Sequence, residues 1–293
     1  WFQQRHEDGD ALRGIPTPWK EYSERIGGLE DGCLYIDAGR PGMGKSAKGV
    51  VQCVETAIAR PDEYVLLYSL EMNKRQIMSR MIAHVAQVPL DYILNPSHRR
   101  YAQDSETWMP RITNAIKAIK STKLHIDDTP GISIAQLASR SRRMHMRGRI
   151  ALITVDHIHI MGGNRDNPVS WMTDISGGLK RLAKELSCPV QALAQLNRSV
   201  EGRQDKRPML SDLRESGSIE QDADVITFIY RDEYYYKEQS QQKGNVELIV
   251  AKNREGETGT VNVRSNLAYG GIIDYERGAP SFDAPVKPEY GGF

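Results

Sequence analysis

The chain has 293 residues, 39% of them hydrophobic and 26% charged, and its formal net charge at pH 7 is +1. This composition is typical of a globular enzyme with one large or two small domains. It excludes a polyanion-binding surface spread over the whole chain, so a nucleic-acid surface has to come from local clustering of basic residues. The sequence shows no signal peptide and no apolar run long enough to span a bilayer, which predicts a protein without a membrane partner.

The start of the chain is polar and then rich in proline and glycine. Residues 14–18 and the Gly27-Gly28 pair are incompatible with one continuous helix, so residues 1–13 are interpreted as a linker. Residues 14–277 are predicted to form one α/β domain, and residues 278–293 a loose tail. The cysteines lie in apolar stretches without paired spacing, which predicts buried thiols in a reducing, cytoplasmic compartment.

A phosphate-binding pattern follows a short apolar run at residues 33–36. Two glycines with four residues between them, Gly39 and Gly44, are followed by Lys45 and Ser46. An apolar-periodic run over 47–59 predicts a helix directly afterwards. Such a loop turns backbone N–H groups toward an anion at a helix N-terminus. Lys45 is expected to reach the terminal phosphates, and the Ser46 hydroxyl to bind Mg²⁺. The predicted nucleotide-binding residues are Gly39, Arg40, Pro41, Gly42, Met43, Gly44, Lys45, Ser46 and Ala47.

Three later apolar runs end in polar side chains. Glu71 follows a strand predicted at 64–70, Asp156 follows one at 150–155, and Gln195 follows one at 190–194. Ligands of open α/β sheets gather at the carboxyl ends of strands, so these side chains are expected beside the phosphates. Glu71 is also compatible with a first-turn helix carboxylate that complements the helix dipole, and Gln195 with a simple polar strand end.

Two histidines follow Asp156 on what is predicted to be a continuing strand. His157 and His159 have a spacing compatible with metal ligands, but no third ligand lies nearby, which favours packing or polar satisfaction. The next helical pattern contains Gly177-Gly178, a pair that costs helix stability. Residues 197–224 are long, polar and without strong periodicity, and residues 231–245 are interpreted as an excursion. Strands at 246–251 and 260–264 predict a β-hairpin.

Several stretches together resemble the motor domain of DnaB-type replicative hexameric helicases. They cover about residues 14–276, and the run at 206–235 is far more specific than the phosphate loop. Three departures suggest a divergent phage or prophage member: Gly39 where the family commonly has Ala, His-Ile-His after Asp156, and Gly177-Gly178 in a helix usually free of such a pair. The stretches are GRPGMGKS, YSLEM (68–72), LITVD (152–156), ALAQLNRSVEGR (192–203), KRPMLSDLRESGSIEQDADVITFIYRDEYY (206–235) and AKNREGETGTV (251–261).

The resemblance implies a RecA-like P-loop NTPase fold, with a mostly parallel sheet flanked by helices and a C-terminal antiparallel hairpin. It implies ATP and Mg²⁺ as cofactors, a homo-hexameric ring, single-stranded DNA in the ring, and a primase and a loader bound through regions partly outside this chain. Asp156 would hold the Mg²⁺ shell, Glu71 would activate water, and Arg80 would support the site. Gln195 would link the γ-phosphate to the DNA loops.

The resemblance also assigns residues that act between subunits or on DNA. Lys252 and Arg254 match a trans-acting pair that reaches the neighbouring nucleotide, and Arg214, Glu215 and Gly217 match the loop that follows the DNA backbone. Three alternatives remain open: a filament-forming RecA-like recombinase, a P-loop kinase of a small molecule, and a catalytically weak assembly module that binds DNA or a loader. The last would bind nucleotide without turnover. Dependence of the ATPase on DNA and on subunit contact discriminates among them.

Overall fold

The computed structural model describes residues 12–98, 101, 104–163, 166–213 and 216–275. The predicted tail at 278–293 and the first eleven residues of the predicted linker lie outside these ranges. Within them, no helix is both long and apolar enough to cross a membrane. The strands are β1 Leu34–Gly39, β2 Tyr64–Ser69, β3 Lys123–Asp127, β4 Ile150–Asp156, β5 Val190–Gln195, β6 Val225–Tyr230, β7 Asn245–Asn253, β8 Gly259–Asn266 and β9 Gly271–Ile273.

Helices cover both faces of the sheet that these strands form. Short 3-10 turns lie at Ile158–Ile160, Arg198–Gly202, Leu210–Asp212, Lys237–Gln239 and Leu267–Tyr269. The α-helices are α1 Lys20–Ile26, α2 Lys45–Ala59, α3 Lys74–Ala86, α4 Leu90–Leu94, α5 Ser105–Lys120, α6 Ile134–His145, α7 Pro168–Leu186, α8 Ser216–Asp222 and α9 Asp232–Tyr236.

The sheet is mostly parallel, and the last strands of the chain extend it on one side as antiparallel strands. Its order is β3-β2-β4-β5-β1-β6-β7-β8-β9. The strands from β3 to β6 pair in parallel, whereas β7, β8 and β9 pair antiparallel to their neighbours. This arrangement confirms the predicted α/β architecture and the predicted hairpin. It also gathers the carboxyl ends of β1, β2, β4 and β5 along one edge, where ligands of such sheets bind.

Two apolar cores lie on opposite faces of the sheet. One face of the sheet packs against α6, α7 and α8, and the other packs against α1, α2 and α3. The central strands β1 and β4 are buried along their whole length, as expected for parallel strands covered on both faces. Cys53 and Cys188 are buried as predicted, whereas Cys33 is half-buried and the prediction of a buried thiol is wrong there.

Helix α1 was missed because its cap comes from a distant segment. The Lys20 N–H donates to Asp274 Oδ2 at 2.7 Å, and Gly27 ends the helix at a φ of 76°. The preceding Trp19 is fully buried, and its Nε1–H donates to the Ile272 carbonyl at 3.2 Å. The proline and glycine residues do prevent a long helix, but they leave room for this short one between them.

Strand β4 ends at Asp156, so the predicted continuation through the histidines is wrong. Its neighbour β2 ends at Ser69, which pairs with Asp156, and β5 pairs with β4 only as far as Val155. Without ladder partners beyond that point, the backbone turns into the 3-10 helix Ile158–Ile160. The Asp156–His157 peptide bond is cis.

Close packing between two helices accounts for one of the paired glycines in α7. A Cβ built on Gly178 would lie 2.4 Å from Cγ1 of Ile134, which belongs to α6. A Cβ on Gly177 would meet the flexible end of Arg181 at 3.2 Å and, in ordinary contact, Asp222 Oδ2 at 3.7 Å. Gly178 therefore permits the close approach of α6 and α7, which offsets its cost in helix propensity.

Candidate active site

The phosphate loop connects β1 to α2 as predicted. Gly42 and Gly44 have φ values of 80° and 102°, a region that favours glycine, and α2 begins directly afterwards. The Lys45 Nζ–H donates to the Gly39 carbonyl at 2.9 Å, so its side chain folds back over the loop. Burial lowers the pKa of Lys45, while Asp156 and Glu71 act in the opposite direction. A lysine in this setting can exchange the carbonyl for a phosphate oxygen.

The other predicted loop residues divide into distinct roles. Met43 and Ala47 bury their side chains in the core, whereas Pro41 is exposed. Arg40 turns away from the loop: its Nε–H donates to Glu201 Oε1 at 2.8 Å and its Nη1–H to the Leu196 carbonyl at 2.9 Å. The Arg40 side chain therefore fastens the phosphate loop to the segment after β5.

Asp156 is a buried carboxylate in an environment that suits a cation. Neither of its oxygens has a hydrogen-bond partner by geometry among the described residues. Burial raises its pKa to about 6, the nearby Ser46 hydroxyl lowers it in part, and Glu71 raises it further. Mg²⁺ prefers hard oxygen ligands and keeps several of its waters, so a carboxylate and a hydroxyl suffice. The Asp156 and Ser46 oxygens fit this ion.

Glu71 stands in the turn between β2 and α3, with its side chain 57% exposed. Because α3 begins at Lys74, the interpretation of Glu71 as a first-turn helix carboxylate is wrong. Helix α3 has its own capping box at Asn73 and Gln76. Glu71 contributes to the pKa shifts of both Asp156 and Lys45, which places its charge within reach of the phosphate loop.

Arg80 and Gln195 approach the same edge of the sheet. Arg80, on α3, favours the charged form of Asp156. Gln195 ends β5 and pairs in register with Gly39, the last residue of β1 before the loop. This register brings a polar strand end next to the phosphate loop, although the two residues are far apart in sequence.

The two histidines after Asp156 lie beside Glu71 and Gln195. His157 is buried, with its Nε2 at 3.6 Å from Glu71 Oε2. Burial lowers the pKa of His157, and Glu71 opposes that effect. His159 Nδ1 accepts the Gln195 backbone N–H at 3.3 Å. The histidines thus contact Glu71 and Gln195, and within the described ranges no group of three or more His, Cys, Asp or Glu side chains is arranged to hold a metal ion.

Lys252 and Arg254 lie at the opposite edge of the sheet from the phosphate loop. Lys252 pairs with Ile226 at the start of β6, and β6 begins beside Tyr35 at the start of β1. Strand β1 rises about 13 Å from Tyr35 to Gly39, at about 3.3 Å per residue. The pair therefore lies too far from the phosphate loop of its own chain to contact it.

Both side chains contact the C-terminal end of α8 instead. The Lys252 ammonium donates to the Glu220 carbonyl and, at 2.7 Å, to the Ala223 carbonyl. Arg254 Nη2–H donates to the Gln221 carbonyl at 2.8 Å. Cations at a helix C-terminus satisfy carbonyls that have no partner within the helix.

The predicted DNA loop is described only in part. Arg214 and Glu215 lie outside the described residues, and Gly217 is exposed in the first turn of α8. The segment at 197–213 is fixed next to the end of β5, because the Asn197 N–H donates to the Asp212 carbonyl at 2.9 Å. Arg203 reinforces this fold through an ion pair with Asp212 at 2.7 Å. The basic segment therefore follows directly from Gln195.

Sequence reasoning missed the residues that cover the phosphate loop. The region at 231–245 is not a free excursion, because Arg231 Nη1–H donates to the Gly42 carbonyl at 3.1 Å. The Tyr234 ring packs against Gly42 so closely that a Cβ there would lie 2.5 Å from Cε2. The signal that could have found them is the strand order: β6 is parallel to β1, so residues after both strands share one edge.

Comparison with known proteins agrees with this geometry. Residues 14–271 match the family described as DnaB-like helicase C-terminal domain. The replicative DNA helicase DnaC of Bacillus subtilis (strain 168) is 37% identical, over 98% of this chain and 62% of that protein. The replicative DNA helicase DnaB of Geobacillus stearothermophilus is 36% identical, over 94% of this chain and 60% of that protein. The chain thus spans about three fifths of the length of these relatives.

Solved structures give the same result. One of them, described as an ATPase domain, matches with a TM-score of 0.86 at 34% identity, over 93% of this chain and 95% of that chain. A DnaB-like replicative helicase, described with its interactions with primase, matches with a TM-score of 0.84 at 34% identity, over 93% of this chain and 65% of that chain. These matches agree with the expected RecA-like ATPase fold.

Proposed function

The chain belongs to the family of DnaB-like helicase C-terminal domains, and we propose that it is the ATP-driven motor of a replicative DNA helicase that acts as a homo-hexameric ring on single-stranded DNA. The observation that carries this proposal is the division of the site. The phosphate loop, Asp156 and Glu71 share one edge of the sheet, whereas Lys252 and Arg254 lie at the other. Such a division suits hydrolysis between copies of the chain.

One side of the proposed interface binds nucleotide and supplies the base. The loop and Lys45 bind the phosphates, and Ser46 and Asp156 hold Mg²⁺, which neutralises charge on the phosphates when it is bound. The Glu71 carboxylate accepts a proton from the attacking water. In this mechanism Gln195, at the end of β5, contacts the terminal phosphate, and Arg80 favours the charged form of Asp156.

The other side of the interface completes the site in trans. Lys252 and Arg254 leave the carbonyls of α8 and approach the phosphates bound by a neighbouring copy. Positive charge supplied in this way stabilises the transition state of phosphoryl transfer by orders of magnitude. The segment at 197–217 follows Gln195 and carries basic residues, so it is the proposed contact with the DNA backbone. Such contact is independent of sequence.

Assembly and partners form the rest of the proposal. Residues 14–277 form the motor, with residues 1–13 as linker and 278–293 as tail. The protein acts in the bacterial cytoplasm or in the infected host cell. Primase and a loader bind through regions partly outside this chain; one solved relative is described with primase interactions.

The decisive experiment measures ATPase rate against protein concentration, with and without single-stranded DNA. A steep rise with concentration together with stimulation by DNA is expected for interface catalysis. The Lys45→Ala variant is the control and should lose turnover. Constant specific activity without a response to DNA would favour the small-molecule kinase, and filaments that exchange strands without unwinding would favour the recombinase. Nucleotide binding without turnover would favour the assembly module.

Mixed assemblies test the trans contribution directly. Arg254→Ala and Lys45→Ala should each be inactive alone, yet mixing them should restore part of the ATPase activity, because some interfaces then hold an intact loop and an intact arginine. Absence of any recovery in assemblies shown to contain both variants would contradict a shared site.

A further inference from the structure

We propose that His157 is a positioning residue that holds the catalytic carboxylate of Glu71 in line for water attack. The inference rests on the proposed function and adds to it a residue outside the phosphate loop and the Mg²⁺ ligands. Within the described ranges, His157 is the one basic side chain within ion-pair distance of the Glu71 carboxylate, at 3.6 Å. The imidazole acts through Glu71 and does not itself touch the nucleotide.

Glu71 needs such support because of where it lies. It belongs to a turn between Ser69 and Lys74, and more than half of its side chain is exposed. A carboxylate in that position has several rotamers available, and only those near the attacking water are productive. A partner that favours one rotamer raises the fraction of productive complexes, and it does so without contributing to ATP binding.

His157 is itself held firmly. Its side chain is only 8% exposed, and it follows Asp156 at the end of the buried strand β4. The Ile160 N–H donates to the His157 carbonyl at 3.2 Å, which closes the turn behind it. His159, in the same turn, accepts the Gln195 backbone N–H, so the turn is fastened to the end of β5.

The geometry requires only a small adjustment. The distance from His157 Nε2 to Glu71 Oε2 is about 0.6 Å longer than an ordinary N–H···O hydrogen bond of about 3.0 Å. A rotation of the exposed Glu71 side chain can close that gap, because the buried His157 side chain has little room to move. With the proton on Nε2, His157 donates to one carboxylate oxygen and leaves the other to accept the proton of water.

The test distinguishes the effect of the His157 N–H donor from the effect of the ring itself. His157→Phe keeps the ring without the donor, and His157→Gln returns an N–H near the position of Nε2. We expect kcat of the DNA-stimulated ATPase to fall about tenfold in His157→Phe and to recover at least half of that loss in His157→Gln. KM for ATP should stay within about twofold in both variants. His145→Phe, at an exposed position on α6, is the matched control and should change neither constant.

A double-mutant comparison identifies the target of the imidazole. Glu71→Gln alone should nearly abolish turnover, and adding His157→Phe should lower it no further, because the group being positioned has gone. Normal kcat in His157→Phe, or an additive loss in the double variant, would overturn the proposal while leaving Glu71 as the base. Normal turnover in Glu71→Gln would overturn the proposed mechanism itself, and this inference with it.

Discussion

A buried ion pair beside the phosphate loop gives a sharp prediction about stability. Lys48, in the first turn of α2, donates its Nζ–H to Asp37 Oδ2 of β1 at 2.7 Å, and both side chains are 2% exposed. Gln191 Nε2–H donates to the same oxygen at 2.6 Å. The ammonium also lies 5.1 Å and 4.6 Å from the ring centroids of Trp19 and Tyr22. The pair therefore fastens the two elements that flank the loop.

Replacing Lys48 by Met keeps the length of the side chain and removes the charge. The Asp37 carboxylate then stays buried without its counter-ion, which costs about 3 to 5 kcal/mol of unfolding free energy. The double variant Lys48→Met/Asp37→Asn removes both charges and keeps an acceptor for Gln191. It should recover most of the loss, because a buried pair replaced as a unit is close to neutral.

The assay is urea unfolding at constant pH, followed by the change in the transition midpoint. Lys117→Met, at an exposed position on α5, is the control and should change the unfolding free energy by no more than about 0.5 kcal/mol. The loss in Lys48→Met should persist at high salt, since a buried pair is poorly screened. A loss below about 1 kcal/mol, or a double variant no more stable than the single one, would refute this reasoning.

Two further predictions concern close packing and the anchoring of the loop. Gly178→Ala should lower the unfolding free energy by about 1 to 3 kcal/mol, because its Cβ would overlap Ile134. Gly177→Ala should instead raise it by up to about 1 kcal/mol. Thermal unfolding of both variants checks that the two changes have opposite signs. Arg40→Ala should lower the free energy of unfolding by about 1 to 2 kcal/mol. The effect is kept this small because the partner Glu201 is partly exposed. Arg40→Lys should recover little of it, since one ammonium cannot replace the fork that binds two partners. Equal stability of Arg40→Ala and the wild-type chain would contradict the anchoring role.

Local pattern was enough to predict most of the sheet and the centre of the site. Apolar runs with polar ends placed Asp156 and Gln195 at strand termini, and the glycine spacing placed Lys45 and Ser46 at a helix start. These features depend on neighbours a few residues apart, which a sequence displays directly. For the same reason, the hairpin of the strands at 246–251 and 260–264 was predicted from two short runs and the glycine-containing turn between them.

The contacts between distant segments were decided only by the tertiary structure. Helix α1 depends on a cap from Asp274, and the end of β4 depends on where β2 ends. The approach of His157 to Glu71, and the separation of Lys252 from the phosphate loop, follow from strand order and register. Periodicity records which face of an element is apolar. It carries no information on which distant element covers that face, because that choice is made by packing over the whole chain.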